Sequence, residues 1–344
     1  MEKYEGQVEI EMCSEQKYLG FIISSKGDNL ANIRSVKNKS NGIIRKILEK
    51  LESLNLRKYY FECGVLFLNT MLRSSILYAC ETYYNLKEKE IRILERIEEQ
   101  YMRKLLKTTK SCPISQIYLE LGQSPARFHI YKMRALFLKY ILNESESSRI
   151  SRFLKLQLEN PVRGDWVSTC MKNLKILNIN LSLEEIKDMS AFSFKKLVNK
   201  KCDETAFEYL LSKRGSKGRD IEYSKLKMAD YLYPNEYLTI TEQRSIFALR
   251  NKMVVEIPSN FCSSENNNYK CICNKTEDMN HIYNCKILNK DEPKIEFERV
   301  YSGKTEQQKT ILKRFELNMK RRNENLNRNE PCDPLDPLSS AVRR

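Results

Sequence analysis

Histidine is almost missing from this chain: 344 residues contain two, His129 and His281. Long apolar runs are missing too, and none approaches the ~20 residues that a membrane-spanning helix needs. The N-terminal MEKYEGQVEIEM is charged and alternating, which excludes a secretory leader. These absences predict a protein with no membrane partner, nuclear or cytoplasmic and not secreted. No internal repeat is present. Cysteine is not scarce, but its eleven copies are an odd number. Seven of them (Cys13, Cys63, Cys80, Cys112, Cys170, Cys202 and Cys332) stand singly. That pattern excludes a disulfide framework and suits a reducing compartment, where most become small buried hydrophobes.

What the sequence does have is positive charge. Lys and Arg total 60 against 45 Asp and Glu, a net charge of +15. A polyanion is the commonest partner for such an excess, so nucleic acid is the expected ligand class. A hydrophobic content of 41% argues for a folded chain. The length allows one large domain or two to three smaller ones.

Along the chain, Gln7 to Met12 alternates, and Lys17 to Ser24 (KYLGFIIS) is a short apolar run. The two read as strands of a small hairpin closed by SSKGDN. The rest reads as helix almost throughout, so the expected class is mainly α with one small N-terminal β-hairpin. Ile44, Ile47, Leu48 and Leu51 form one apolar stripe with Arg45, Lys46 and Lys50 outside it. Val65 to Tyr78 is a more thoroughly apolar helix, expected to be buried. Leu94, Ile97, Tyr101 and Leu105 keep a three-four spacing, with Arg92, Glu95, Arg96, Glu99, Arg103 and Lys104 on other faces. The polar NESESS at 143–148 is a candidate domain boundary. Ser182 and Glu185 make a capping box. Thr239 to Glu242 caps a helix expected to reach Met253, with Ile246, Leu249 and Met253 inward and Arg244, Arg250 and Lys252 outward. The tail is basic and then compositionally disordered. The divisions expected are 1–27 (hairpin), 28–145 (first helical region), 146–255 (second helical region), 256–290 (a metal-binding segment) and 291–344 (tail).

That metal-binding segment holds the second histidine. CICNKTEDMNHIYNC spans residues 271–285 and sets Cys271 and Cys273 ahead of His281 and Cys285. Residues two apart on an extended segment point to the same side, and residues four apart share one face of a helical turn. A hairpin followed by one helical turn would bring three thiolates and an imidazole together. That is the ligand set of a closed, structural tetrahedral Zn2+ site. Cys271 and Cys273 are separated by one residue where two is the usual spacing, and Cys262 is an alternative ligand for either. His129, by contrast, lies in SPARFHIYKMRALF with no nearby cysteine or carboxylate, as expected of a packed or surface residue.

Three stretches together resemble the C-terminal part of a non-LTR (LINE-like) retrotransposon reverse transcriptase. KYLGFIISSKGDNLANIRSVKNKSNGIIRKI is similar to the end of the palm and the start of the thumb. LRSSILYACETYYNLKEKEIRILERIEEQYMRKLLK is similar to the thumb helices, its LYACETY standing where the family has LYG-ETW. SIFALRNKMVVEIPSNF with CICNKTEDMNHIYNC is similar to the helix and zinc knuckle that follow. The resemblance implies that 1–27 is a palm remnant, 28–145 a thumb-like region, 146–255 a connector and 256–290 the knuckle. It implies RNA template and target DNA as partners. It places Arg34, Lys37, Lys39, Arg45 and Lys46 where a thumb faces template–primer duplex. Arg244 and Lys252, eight apart and so about 80° apart around a helix, are further candidates for phosphate contact. Arg250 is expected to pack its stem against the knuckle.

Polymerases of this family hold two metal ions on palm carboxylates that include an adjacent Asp pair. No Asp-Asp pair occurs in the sequence. Glu292-Pro293-Lys294 spells the Glu-x-Lys of the family's nuclease domain, but too few residues follow Cys285 to build one. The expectation is therefore a nucleic-acid-binding fragment with no catalytic residues of its own. Two alternatives stand beside it: part of an active RNA-directed DNA polymerase whose palm is encoded upstream, and a decayed fragment without activity.

Overall fold

The computed structural model describes residues 13–26, 29–56, 58–84, 86–162, 164–214, 221–234, 238–251, 308–313 and 317. The chain divides into two compact units, 1–215 with 223–234 and 216–222 with 235–344. The first unit is mainly helical, with one two-stranded sheet.

The hairpin forms within a single stretch. β1 (Glu15–Tyr18) pairs antiparallel with β2 (Phe21–Ser24), and Tyr18 faces Phe21 across the turn. The two loop residues, Leu19 and Gly20, have φ of 47° and 91°. Positive φ at both is the tight hairpin turn whose twist matches that of the strands. The expected first strand, Gln7 to Met12, lies outside the described residues. KYLGFIIS supplies most of both strands because its Leu-Gly can turn.

α1 (Leu30–Ser53) buries Ile33, Ile44, Ile47 and Leu51 along one stripe. α2 (Tyr60–Phe67) runs through a π-helical turn (Leu68–Leu72) into α3 (Arg73–Ile76). The expected all-round burial of Val65 to Tyr78 does not hold. Leu68, Leu72 and Ile76 are buried, whereas Leu66, Met71 and Tyr78 are exposed at 53%, 43% and 51%. One face of an apolar helix suffices for the core, and the other stays in water. In LYACETY, Ala79 takes the left-handed region at φ 55° before a 3-10 turn (Cys80–Thr82). That break turns Cys80 and Tyr83 inward, where both are buried.

α4 (Glu88–Leu106) packs on α1 and is covered by α5 (Ile114–Glu120) and α6 (Ala126–Asn143). Gly64 lets α2 approach α4, since a Cβ there would lie 2.6 Å from Leu105 Cδ1. Tyr101 on α4 donates to the Gly64 carbonyl at 2.7 Å.

The expected boundary at 145/146 is not where the units part. α7 (Arg149–Glu159), α8 (Trp166–Ile176), α9 (Leu183–Asp188) and α10 (Ala191–Ser212) follow it. They share one core with α6, through Phe128, Leu138, Leu154, Trp166, Leu174, Ile186, Phe194 and Val198. NESESS only reverses the chain. A polar turn and a linker have the same composition, and packing on both sides decides between them. Ser182 and Glu185 form the expected reciprocal cap.

Residues 223–234 return to α5. Glu120 is fully buried and accepts from Tyr223 Oη at 2.6 Å and Tyr231 Oη at 2.9 Å. Leu121 and Met228 make an isolated antiparallel bridge.

In the second unit, α11 (Ile240–Arg250) opens on a reciprocal cap between Thr239 and Glu242. Ile246 and Phe247 are buried, as are Ile311 and Leu312. Arg250 is only 5% exposed, which corrects its expected outward position. Met253 and Lys252 lie outside the described residues. Among the described residues, no helix is long and apolar enough to cross a membrane.

Candidate nucleic-acid interface

Arg34, Lys37, Lys39, Arg45 and Lys46 all lie on α1 and all are exposed or half-buried. They do not form one surface. At about 100° per residue, Lys37, Arg34 and Arg45 fall within about 60° of Leu48 around the helix. Lys39 and Lys46 fall about 160–180° from Leu48, on the far flank. Arg45 also reaches Glu49 at 3.6 Å, an exposed pair of little energetic weight.

Leu48 matters because it forms part of a groove that the sequence did not disclose. The groove encloses about 830 Å3 and is lined by Leu48, Gln100 and the basic side chains of Arg96, Arg103, Lys104, Lys107 and Lys110. Glu99 is the carboxylate among its lining residues. Burial holds Glu99 above the usual carboxylate range, with Arg103 pulling the other way. Gln100 Nε2 donates to Asn41 Oδ1 at 2.8 Å and ties the α4 wall to α1.

Backbone capping places the basic end of the groove. Thr108 N–H bonds the Arg103 carbonyl at 2.9 Å, and Lys107 N–H bonds that of Lys104 at 3.2 Å. These are the paired closing bonds of a Schellman helix end. Such an end needs a left-handed residue, usually glycine, and here Lys107 takes it at φ 50°. Arg103 reaches past the helix end to the carbonyls of Thr109 and Cys112, the latter at 2.9 Å, and so fixes the loop that carries Lys110. Lys104, Lys107 and Lys110 remain exposed. The helix-end negative dipole favours this basic cluster.

Lys104, Lys107 and Lys110 recur every three residues in KLLKTTK, which was the available signal. Period alone could not show that the run continues past the helix end, nor that α1 forms the opposite wall.

Arg244 on α11 is half-buried, and its partner candidate Lys252 lies outside the described residues. The expected zinc ligands Cys271, Cys273, His281 and Cys285, and the alternative Cys262, also lie outside them. Among the described residues, no group of three or more His, Cys, Asp or Glu is placed to hold a metal. Four of the six scattered cysteines among the described residues, Cys80, Cys112, Cys170 and Cys202, are packed inside, whereas Cys63 is half-buried and Cys13 exposed. Burial pushes Cys80 and Cys202 up to about 12 and Cys170 to about 11. His129 is packed, with Nε2 3.0 Å from Ser124 Oγ.

No family model, curated protein or solved structure matches the chain.

Proposed function

We propose that this chain binds nucleic acid along the groove between α1 and the C-terminal half of α4, as the thumb-like part of a non-LTR retrotransposon reverse transcriptase. One observation carries the reading. Arg96, Arg103, Lys104, Lys107 and Lys110 converge on one concave surface against a single carboxylate, Glu99. A cleft lined by one sign of charge concentrates the opposite sign. Lys37, Arg34 and Arg45 share the Leu48 side of α1. The groove is suited to phosphates rather than base edges, since ammonium groups read charge and not sequence. The ligand is a duplex or single strand bound with little sequence preference. By the resemblance, RNA template and target DNA are the partners. A structural Zn2+ held by Cys271, Cys273, His281 and Cys285 belongs to the same reading, resting on their spacing and the donor set.

The test is filter binding of duplex and single-stranded DNA and RNA over a salt series. The variant Lys104→Gln/Lys107→Gln/Lys110→Gln should lower the slope of log K against log salt by roughly 0.7–0.9 for each phosphate no longer neutralised. Lys39→Gln/Lys46→Gln removes charge from the far flank and should leave the slope near wild type. Equal effects of the two variants would reduce the groove to general surface charge.

A further inference from the structure

A second cavity lies at the other end of α4. It encloses about 650 Å3 between the start of α4, the middle of α6 and one face of α8. Leu86, Ile91, Ile130 and Ile176 give it apolar walls. Arg134 from α6 and Lys172 and Asn173 from α8 give it its nitrogen donors. The cavity shares no lining residue with the basic groove.

Arg134 is the anomaly. It is 1% exposed, the largest fully buried side chain among the described residues. Its Nη2 donates to the Trp166 carbonyl at the long distance of 3.5 Å, and its guanidinium lies 5.9 Å from the Trp166 ring centroid. It also reaches the Cys170 thiol. No carboxylate of the described residues pairs with it, and its buried Nε has no hydrogen-bond partner. Asn173, 5% exposed, likewise leaves its buried Nδ2 without a partner. A guanidinium cannot shed its charge by deprotonation. An uncompensated buried charge costs several kcal/mol. The carboxylate on the cavity wall, Glu88, is already engaged by Arg127 at 2.8 Å and Arg92 at 3.3 Å. The hydroxyls of Ser168 and Thr169 donate to the Asp165 carbonyl, at 3.1 and 2.7 Å. The donor groups left over among the lining residues are the Arg134 guanidinium, the Asn173 amide, the Tyr131 hydroxyl and the ammonium of Lys172.

We propose that this cavity is an oxyanion site for a phosphate group, which Arg134 and Asn173 bind from inside and Lys172 closes from the rim. A tetrahedral oxyanion would supply the missing counter-charge and, with a turn of the two side chains toward the cavity, give both orphaned donors an acceptor. The volume lies within the range of small-molecule sites, so the phosphate is either free or carried by a compact organic body resting on the four apolar side chains.

The experiment follows the melting temperature and calorimetric binding of the full chain with inorganic phosphate and with adenosine monophosphate, against sodium chloride of matched ionic strength. Phosphate should raise the melting temperature where chloride does not. Lys172→Ala, a rim change that leaves the core intact, should weaken binding about tenfold, the share of one hydrogen bond to a charged group. Arg134→Met should abolish the phosphate response. Without phosphate it should melt no lower than wild type, because it removes a buried unpaired charge. Tighter binding of the monophosphate assigns the site to an organic phosphate; equal binding assigns it to the free ion. Absence of any phosphate-specific rise, or a rise that survives both substitutions, would overturn the proposal.

Discussion

Arg73 Nε stands 2.7 Å from Glu98 Oε1, with the two side chains 5% and 0% exposed. The π-helical turn before Arg73 rotates it inward to that point. There three of its four remaining N–H donors are met, by Asn69, by Gln123 at 3.1 Å and by the Ser124 carbonyl at 2.6 Å. Tyr118 Oη donates to the other Glu98 oxygen at 3.0 Å. This is the paired counterpart of Arg134: the same buried cation, here with a carboxylate and four of its five N–H groups bonded. Glu98→Gln should cost about 3–5 kcal/mol, because breaking one partner of a buried pair leaves the other uncompensated. Tyr118→Phe removes one hydrogen bond to a charged group and should cost less, about 1.5–3 kcal/mol. Urea midpoints rank the two; the reverse order would deny the pair its place in the core.

Glycine at two positions is fixed by different obstacles. At Gly122, φ is +63°, and a Cβ would run into Met228 N, a backbone atom. At Gly64 the obstacle is the Leu105 side chain, which can rotate. Gly122→Ala should therefore destabilise more than Gly64→Ala. It should also release 223–234, seen as faster proteolytic cleavage there than in Gly64→Ala.

Lys107 allows stability and binding to be separated. Its left-handed backbone costs a non-glycine residue about 1 kcal/mol. Lys107→Gly should hold or raise the unfolding free energy by about that amount while weakening nucleic-acid binding. A variant that binds as well as wild type would show that Lys107 makes no phosphate contact.

His129 predicts a pH effect. Burial, reinforced by Arg73 and Lys132, holds its pKa well below the ordinary 6.5. The folded state keeps it neutral, whereas the unfolded chain takes up a proton near the ordinary value. Below that pH the unfolded state binds more protons, so stability falls on acidification, by at most about 1.4 kcal/mol per pH unit. Above it both states are neutral and the effect vanishes. His129→Gln keeps a hydrogen-bonding group for Ser124 and cannot titrate. Its urea midpoint should fall less than wild type's across that window, and equal falls would place the titration elsewhere.

The zinc reading predicts about one metal per chain after expression with zinc, by mass spectrometry. Cys285→Ser should lose it, since a closed structural site needs all four ligands. The melting of residues 13–214, followed by near-ultraviolet signals of Trp166, should stay cooperative, because that core is hydrophobic. A chain without metal would sink the reading.

What the sequence determined by itself is what depends on near neighbours. The α1 stripe of Ile44, Ile47 and Leu51, the Ser182–Glu185 and Thr239–Glu242 caps and the mainly helical class were legible because helical period and capping act within one or two turns. Tertiary structure decided the rest. It brought Leu48 of α1 opposite Lys104 of α4, separating Lys39 and Lys46 from the groove. It left one side of Val65 to Tyr78 in water and carried a single core across NESESS. It also left Arg134 inside without a carboxylate while giving Arg73 one. Each depends on which helix face meets which partner far along the chain, and no local pattern encodes that choice.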